Sequence, residues 1–476
     1  MDRAADRGVL YAVMATCAVA LAAFLPSGEA AERDGRDYAV VHAKRRTTDK
    51  TWRECKTRTL AHVAGYRPPA KPVARSPYGG RADRKAKATG FFRAERIDRR
   101  WWLVDPAGYL WYSVGCCSVR QNATARGVAA RKKLFGTSRD WARATNRMLW
   151  DLGYNTLGCW SRWGEFQDHR PRLPYTTQSN FMSSYGKKRG GTYQKPGHTG
   201  YPGDCIFVFD PEFETFCAAH AKRLLAATRD DRYLLGHFSD NEMPLRHDAL
   251  DRYLKLPETD PGRMAAEAWV RTHRVRRGPK GYPAEARRAF LTMLVERYLR
   301  IVSRAIRKAD PNHLYLGCRF HGRDLREPAV WAACEKYVDV ISVNYYGAWT
   351  PDAERMTNWA KWSRRPFVVT EWYAKGMDSR MSNISGAGWT VKTQADRGRF
   401  YQNFTLALLA HRACVGWHWF KYIDNDPTNR RADPSNRDSN KGIVSNTYEP
   451  YRDLAVRMQA LNRRVYSLID HFDRRR

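Results

Sequence analysis

Two stretches of this sequence end an apolar run on a glutamate. Leu234–Pro244 reads LLGHFSDNEMP: a strand-like segment stops at Ser239-Asp240-Asn241-Glu242, and Pro244 removes the next ladder donor. Pro366–Trp372 reads PFVVTEW and carries Glu371 at its end. A carboxylate delivered at a strand tip, with an amide beside it, is how a strand–helix enzyme presents a catalytic acid. Two such glutamates suit cleavage of a glycosidic bond, which needs an acid for the leaving oxygen and a carboxylate to meet the anomeric carbon. A buried strand-end carboxylate can also be purely structural, so the pair gains weight only within a regular strand–helix series.

That series is present. Strand patterns run over Ser113–Val119, Tyr154–Trp160, Leu173–Thr177, Leu234–Asp240, Leu314–Phe320, Val338–Tyr345, Phe367–Glu371 and Val415–Lys421. Helical patterns follow each, weakest after the second, and Thr137 or Ser138 is placed to cap the first. Alternation of this kind predicts a parallel sheet, and eight strands predict a closed (β/α)8 TIM barrel over 89–476. A doubly wound sheet is the rival, but no glycine-rich phosphate loop follows any strand. Phe91–Tyr112 predicts an N-terminal β-hairpin turned at Asp105-Pro106-Ala107-Gly108. Residues 31–88 are basic and Pro/Gly-rich, and are expected to be an irregular tail or linker.

The predicted strand ends are polar. Asn241 would hydrogen-bond the sugar 2-hydroxyl, and Arg319, His321, Asn344 and Tyr345 would line the cleft. Trp372, Trp417 and Trp419 would offer ring faces, with Trp419 flooring the subsite. Glu242, after an apolar strand and beside neutral Asn241, is expected to be the acid through desolvation. Glu371 is expected to be the nucleophile, kept ionised by Arg319 and Tyr345. The bland readings are a rim salt bridge for Arg319, satisfied histidines at His321 and His418, and packing for at least one of Trp417 and Trp419.

The 476 residues include 17 Trp and 25 Tyr, which suits sugar stacking or ordinary core equally. Lys and Arg number 83 against 49 Asp and Glu, a formal net charge of +34. Clusters at Arg271–Arg277, Arg287–Arg288 and Arg430–Arg431 are spread along the chain, with no nucleic-acid module beside them. Nucleic acid is therefore not an expected partner; a solvated basic surface or an anionic substrate is. Arginines ahead of an apolar run, Val9–Leu25, and small residues up to Ala30 resemble a secretory signal or N-terminal anchor over 1–30. The expected location is thus secreted or periplasmic. The cysteines lack metal-ligand spacing, so no metal is expected. Cys116, Cys117, Cys159 and Cys318 read as buried hydrophobes, which leaves a disulfide open among the others.

The placement of Asn241-Glu242 and Glu371 resembles the 4/7 superfamily of glycoside hydrolases, clan A. Within it, WWLVDPAGYLWYSVG, GHFSDNEMP, VVTEWYAKGMDS, GAGWTVKTQADRGRFYQNF and GWHWFKYIDND resemble the β-agarase-type branch, from about Phe91 to the C-terminus. The resemblance implies a retaining hydrolase acting on a galactan-type polysaccharide or its oligosaccharides, with Glu242 as acid/base, Glu371 as nucleophile and no cofactor. A non-hydrolytic carbohydrate-binding protein on the same scaffold is the alternative, although a binder need not keep both glutamates. An amidase or metal-dependent hydrolase is disfavoured by the absent G-x-S-x-G elbow and ligand spacing.

Overall fold

The computed structural model describes residues 37–195, 198–279, 281–429, 432 and 436–475. The Val9–Leu25 stretch and Arg430–Arg431 lie outside the described residues.

The central element is an all-parallel sheet of nine strands. Across it the order is Leu314–Tyr315, Leu234–Phe238, Tyr175–Gln178, Thr156–Leu157, Ser113–Cys116, Cys414–Trp419, Phe367–Glu371, Ile341–Asn344 and Phe320–His321. Leu234–Phe238, Phe367–Glu371 and Cys414–Trp419 are buried at every position, which is why they read as unbroken apolar runs. The expected closed eight-stranded barrel is not what forms. The segment read as one fifth strand splits into two short pieces, and these are the two edges of a curled nine-stranded sheet. Gly317 at φ +74° and Arg319 at φ +55° break the extended backbone between them.

Helices cover the sheet. Ser138–Asp151 starts where expected, its Thr137 side chain accepting from the Asp140 amide. Ala284–Ala309 buries a stripe through Phe290, Leu294, Tyr298, Val302 and Ile306, one residue per turn. Gln394–Ala410 opens with a Thr393–Asp396 capping box and is buried on nearly all sides. After Thr156–Leu157 only a short turn of 3₁₀ helix forms, Trp163–Phe166, where the helical pattern was weakest. No helix among the described residues is long and apolar enough to cross a membrane.

Two smaller sheets depart from expectation. The Asp105–Gly108 turn does join Arg100–Val104 to Leu110–Trp111, but Arg93–Ile97 pairs on the other side to make three strands. The segment expected to be an irregular tail is folded: Ala39–Lys44 and Arg53–Thr57 form an antiparallel pair. Ala39–Lys44 also pairs with Trp389–Val391, itself beside Ala374–Gly376, completing a four-stranded sheet. Its partners lie shortly after Glu371, hundreds of residues along the chain from the hairpin, a pairing that local composition does not encode.

Candidate active site

In open parallel sheets, reactive groups gather beyond the carboxyl ends of the strands. Five non-glycine residues there hold left-handed φ: Ser118 at +52°, Trp160 at +61°, Asn180 at +54°, Glu242 at +49° and Arg319 at +55°. Such positions cost about 1–3 kcal/mol each and cluster at functional sites. Glu242 reaches its place because Ser239 and Asp240 pin the chain behind it. Tyr298 Oη donates to Asp240 Oδ2 at 2.8 Å, and the Met182 amide donates to Asp240 at 3.0 Å. Burial pushes the Asp240 carboxyl up to about 7. On the other strand, a register shift between Val343 and Asn344 sets Asn344 opposite Glu371. A bulge of this kind re-aims a side chain.

One hydrogen-bond chain links the two glutamates. Asn344 Nδ2 donates to Glu242 Oε1 at 2.8 Å and to Asn241 Oδ1 at 3.3 Å. Arg319 Nε donates to Asn241 Oδ1 at 2.8 Å, and Arg319 Nη2 to Glu371 Oε1 at 2.7 Å. Tyr346 Oη donates to Glu371 Oε2 at 2.9 Å. Thr370 Oγ1 donates to Asn344 Oδ1 at 2.9 Å, which fixes the Asn344 amide toward Glu242. The Arg319 guanidinium is fully buried and lies 4.5 Å over the Trp160 ring.

Glu371 is 6% exposed, whereas Glu242 is half-buried. Burial raises the Glu371 carboxyl, Arg319 opposes it, Glu242 raises it again and Tyr346 opposes; the balance stands at about 7. The main burden of desolvation thus falls on Glu371, where the sequence placed it on Glu242. The mutual influence also places Glu242 and Glu371 in one electrostatic unit, as paired-carboxylate chemistry requires.

Asn241, Arg319 and Asn344 meet the two glutamates as expected, and His321 lies half-buried at the adjoining sheet edge. Tyr345 does not reach Glu371: it is buried, and its hydroxyl accepts from the Asp352 amide at 3.0 Å. Successive side chains alternate across a strand, so the neighbouring Tyr346 takes the role instead. Trp372, Trp417 and Trp419 do not face a cleft. Trp372 stacks on Phe404 at 4.3 Å, Trp417 Nε1 donates to Tyr401 Oη, and Trp419 Nε1 donates to the Lys441 carbonyl. All three sit in the core beneath the site, at most 1% exposed. His418 is likewise buried, with Nε2 at 2.9 Å from Ser113 Oγ.

Trp160 and Lys441 were not singled out in the sequence, and Tyr346 was read only as a polar strand-end residue beside Tyr345. Trp160 had a signal, a strand-terminal tryptophan; Lys441 had none, since it comes from a loop far along the chain. All nine described cysteines are free, so the disulfide left open does not form among them. One trio of metal-type side chains meets among the described residues, His237, Asp310 and His313. Its ring nitrogens already bond Thr177 Oγ1, the Asp231 carbonyl and Asp310 Oδ2, which makes it a buried hydrogen-bond network behind the strands.

No family model matches the chain. It is 26% identical to the beta-agarase B of Vibrio sp. (strain JT0107), over 83% of this chain and 50% of that protein. The beta-agarase A of the same strain is 26% identical over 79% of this chain. The chain spans about half the length of these curated relatives. Among solved structures, BpGH50 is 31% identical, covering 92% of this chain and 96% of that one, at a TM-score of 0.82. An exo-beta-agarase shares the fold at 22% identity, covering 84% of this chain and 68% of that one, with a TM-score of 0.70.

Proposed function

This chain belongs to the GH50 family of β-agarase-like glycoside hydrolases, and on that premise we propose that it cleaves O-glycosidic bonds in a galactan-type polysaccharide or its oligosaccharides. One observation carries the reading: Glu242 and Glu371, delivered by two strands that do not pair in the sheet, are joined through Asn344, Asn241 and Arg319. Arg319 and Tyr346 both donate to Glu371, and donation of that kind favours a carboxylate. Glu371 is accordingly the nucleophile and Glu242 the acid/base.

The Glu371 carboxylate forms a bond to the anomeric carbon while the glycosidic C–O bond breaks and Glu242 gives its proton to the leaving oxygen. Water then attacks the same carbon, Glu242 takes its proton, and Glu371 leaves as carboxylate. With one proton between them, the charge on Glu242 that raises Glu371 vanishes, and Glu371 is free to ionise. The net stereochemistry is retention. Arginines followed by the Val9–Leu25 run support export as part of the same proposal.

The test is reducing-end release from a panel of neutral and sulfated galactans, with wild type, Glu242→Gln and Glu371→Gln. Release that both variants lose by several orders of magnitude is expected. Release unchanged in both would reject the two-glutamate mechanism. Proton NMR of the first product then reads the anomer: an inverted initial anomer would reject retention while leaving the hydrolase in place.

A further inference from the structure

One side of the site gathers positive charge that the hydrolytic steps do not use. Four segments meet there through their backbones. The Cys117 amide donates to the Trp419 carbonyl at 2.9 Å, and the Tyr422 amide to Cys117 at 3.0 Å. The Arg162 amide donates to Val119 at 2.9 Å, and the Lys421 amide to Lys441 at 3.2 Å. Arg120, Arg162, Lys421 and Lys441 therefore share one corner of the strand ends. Lys441 belongs to the site itself: its Nζ lies 4.9 Å from the Phe420 ring, and its charge acts on Glu371.

The carboxylate to be expected among these cations is engaged elsewhere. Asp424 accepts from the Lys441 and Gly442 amides at 2.7 and 2.6 Å, from Asn440 Nδ2 at 3.0 Å and from Tyr451 Oη at 2.6 Å. Lys421 Nζ instead donates to the neutral Asn425 Oδ1, although the residue is only 5% exposed. Among the described residues, neither the Arg120 nor the Arg162 side chain has a hydrogen-bond or ion-pair partner, and burial, then the Arg162 charge, lowers Arg120. Burial, then Arg120 and Lys441, drive the Lys421 ammonium well below its ordinary range, and the Asp424 charge only partly opposes them. Like charges held this close in a partly dry corner are unfavourable unless an anion enters.

We propose that this corner is a subsite for an anionic substituent on the sugar chain, a sulfate ester or a uronate carboxylate, held by Arg120, Arg162, Lys421 and Lys441. The inference rests on the reading that the sugar lies across Glu242 and Glu371. The arginine forks suit the paired oxygens of either anion, Lys441 supplies charge behind them, and an anion there would favour the charged form of Lys421. Trp160 and Phe420, 5.7 Å apart and edge-to-face, offer apolar surface for the ring that carries the substituent. The substrate class is then an acidic galactan.

The test is calorimetric binding to the Glu371→Gln protein, which separates recognition from turnover. The probes are a neutral agaro-oligosaccharide, its 6-O-sulfated counterpart and a uronate-bearing galacto-oligosaccharide of equal length. Each is titrated with and without Arg120→Gln and Arg162→Gln, exposed positions whose change leaves the core intact. An anionic probe should bind about tenfold or more tighter than the neutral one, the scale of one charge-assisted hydrogen bond. The double variant should remove that preference while changing neutral binding by less than about threefold, and high salt should weaken the preference in the parent. Whichever acid binds tighter identifies the substituent. Equal affinity for neutral and anionic probes, no binding of either anionic probe, or equal losses on all probes in the double variant would overturn the subsite. Anionic binding that persists in a protein whose wild type releases no reducing ends would instead overturn the hydrolase and leave the subsite standing.

Discussion

Arg319→Met isolates the group that the site's electrostatics depend on most. Arg319 Nη2 meets Glu371 Oε1 at 2.7 Å with the arginine fully buried, so solvent screens little of the interaction. A hydrogen bond to a charged group is worth about 1.5–3 kcal/mol, and one pKa unit is about 1.36 kcal/mol, so losing it should lift Glu371 by about one to two units. Glu371 already stands at about 7, and in the proposed mechanism it acts ionised, so activity is gained as pH rises through its pKa. Removing the guanidinium should therefore move the acid limb of kcat/KM upward by about one to two pH units, since that profile reports the free enzyme. Stability should change with the same sign. The folded pKa of Glu371 lies above its unfolded value, so its charge costs stability as pH rises through the folded pKa. Breaking a buried pair costs about 3–5 kcal/mol where the orphaned group is charged, and less where it takes up a proton. The variant's Tm deficit should accordingly be larger at alkaline than at acid pH. The assay is kcat/KM on an agaro-oligosaccharide across about pH 5 to 9, the span over which a bell-shaped profile resolves, with thermal melts at each pH. A folded variant whose acid limb stays in place or moves down would refute the assignment of Arg319 and Glu371.

Tyr346→Phe should move the acid limb the same way by less than Arg319→Met and lower kcat/KM about tenfold, the worth of one good hydrogen bond; Tyr345→Phe should leave the profile unmoved, and the reverse result would restore Tyr345 to the site. Trp417→Phe and Trp419→Phe should lower Tm while leaving KM within about twofold, because these rings pack in the core; a raised KM with an unchanged Tm would make them sugar platforms. Asp240 is held at about 7 by burial, above its unfolded value, so the protein should lose stability as pH rises through that range. Asp240→Asn should flatten stability against pH there, and an unchanged slope measured by denaturant melts would refute the assignment.

Single strands were legible in the sequence where burial on both faces left an unbroken apolar run. Phe367–Glu371 has the expected bounds, and Leu234–Phe238 stops two residues short of them. The Leu314–Phe320 run was equally apolar, but the left-handed turns at Gly317 and Arg319 split it, and nothing in its hydropathy marks a backbone dihedral. At the site, Asn241, Asn344 and Arg319 were found because each was read at a strand end, and all three bond into the network. The tryptophans beside Glu371 and on Cys414–Trp419 were misplaced, since identity alone does not say which face of a fully buried strand meets solvent. Tyr345 and Tyr346 were exchanged for the same reason: a one-residue difference of phase decides which hydroxyl reaches the carboxylate. Lys441 and the Ala39–Lys44 pairing were invisible, because their partners lie far away along the chain.

That last pairing bears on the order in which the molecule can be assembled. Ala43 meets Val391 and Lys44 meets Thr390, so the Ala39–Thr57 hairpin is synthesised hundreds of residues before the neighbour it pairs with. Until then Ala39–Lys44 presents one unpaired edge, an invitation to wrong partners that short length and the charged Lys44, Arg45 and Arg46 help to blunt. At a ribosome adding about 5–20 residues each second, the wait for Trp389–Val391 lasts tens of seconds, far longer than a local hairpin needs to form. The sheet it completes carries Ala374–Gly376, which begins three residues after Glu371, so the surroundings of Glu371 set only once that distant pairing has formed.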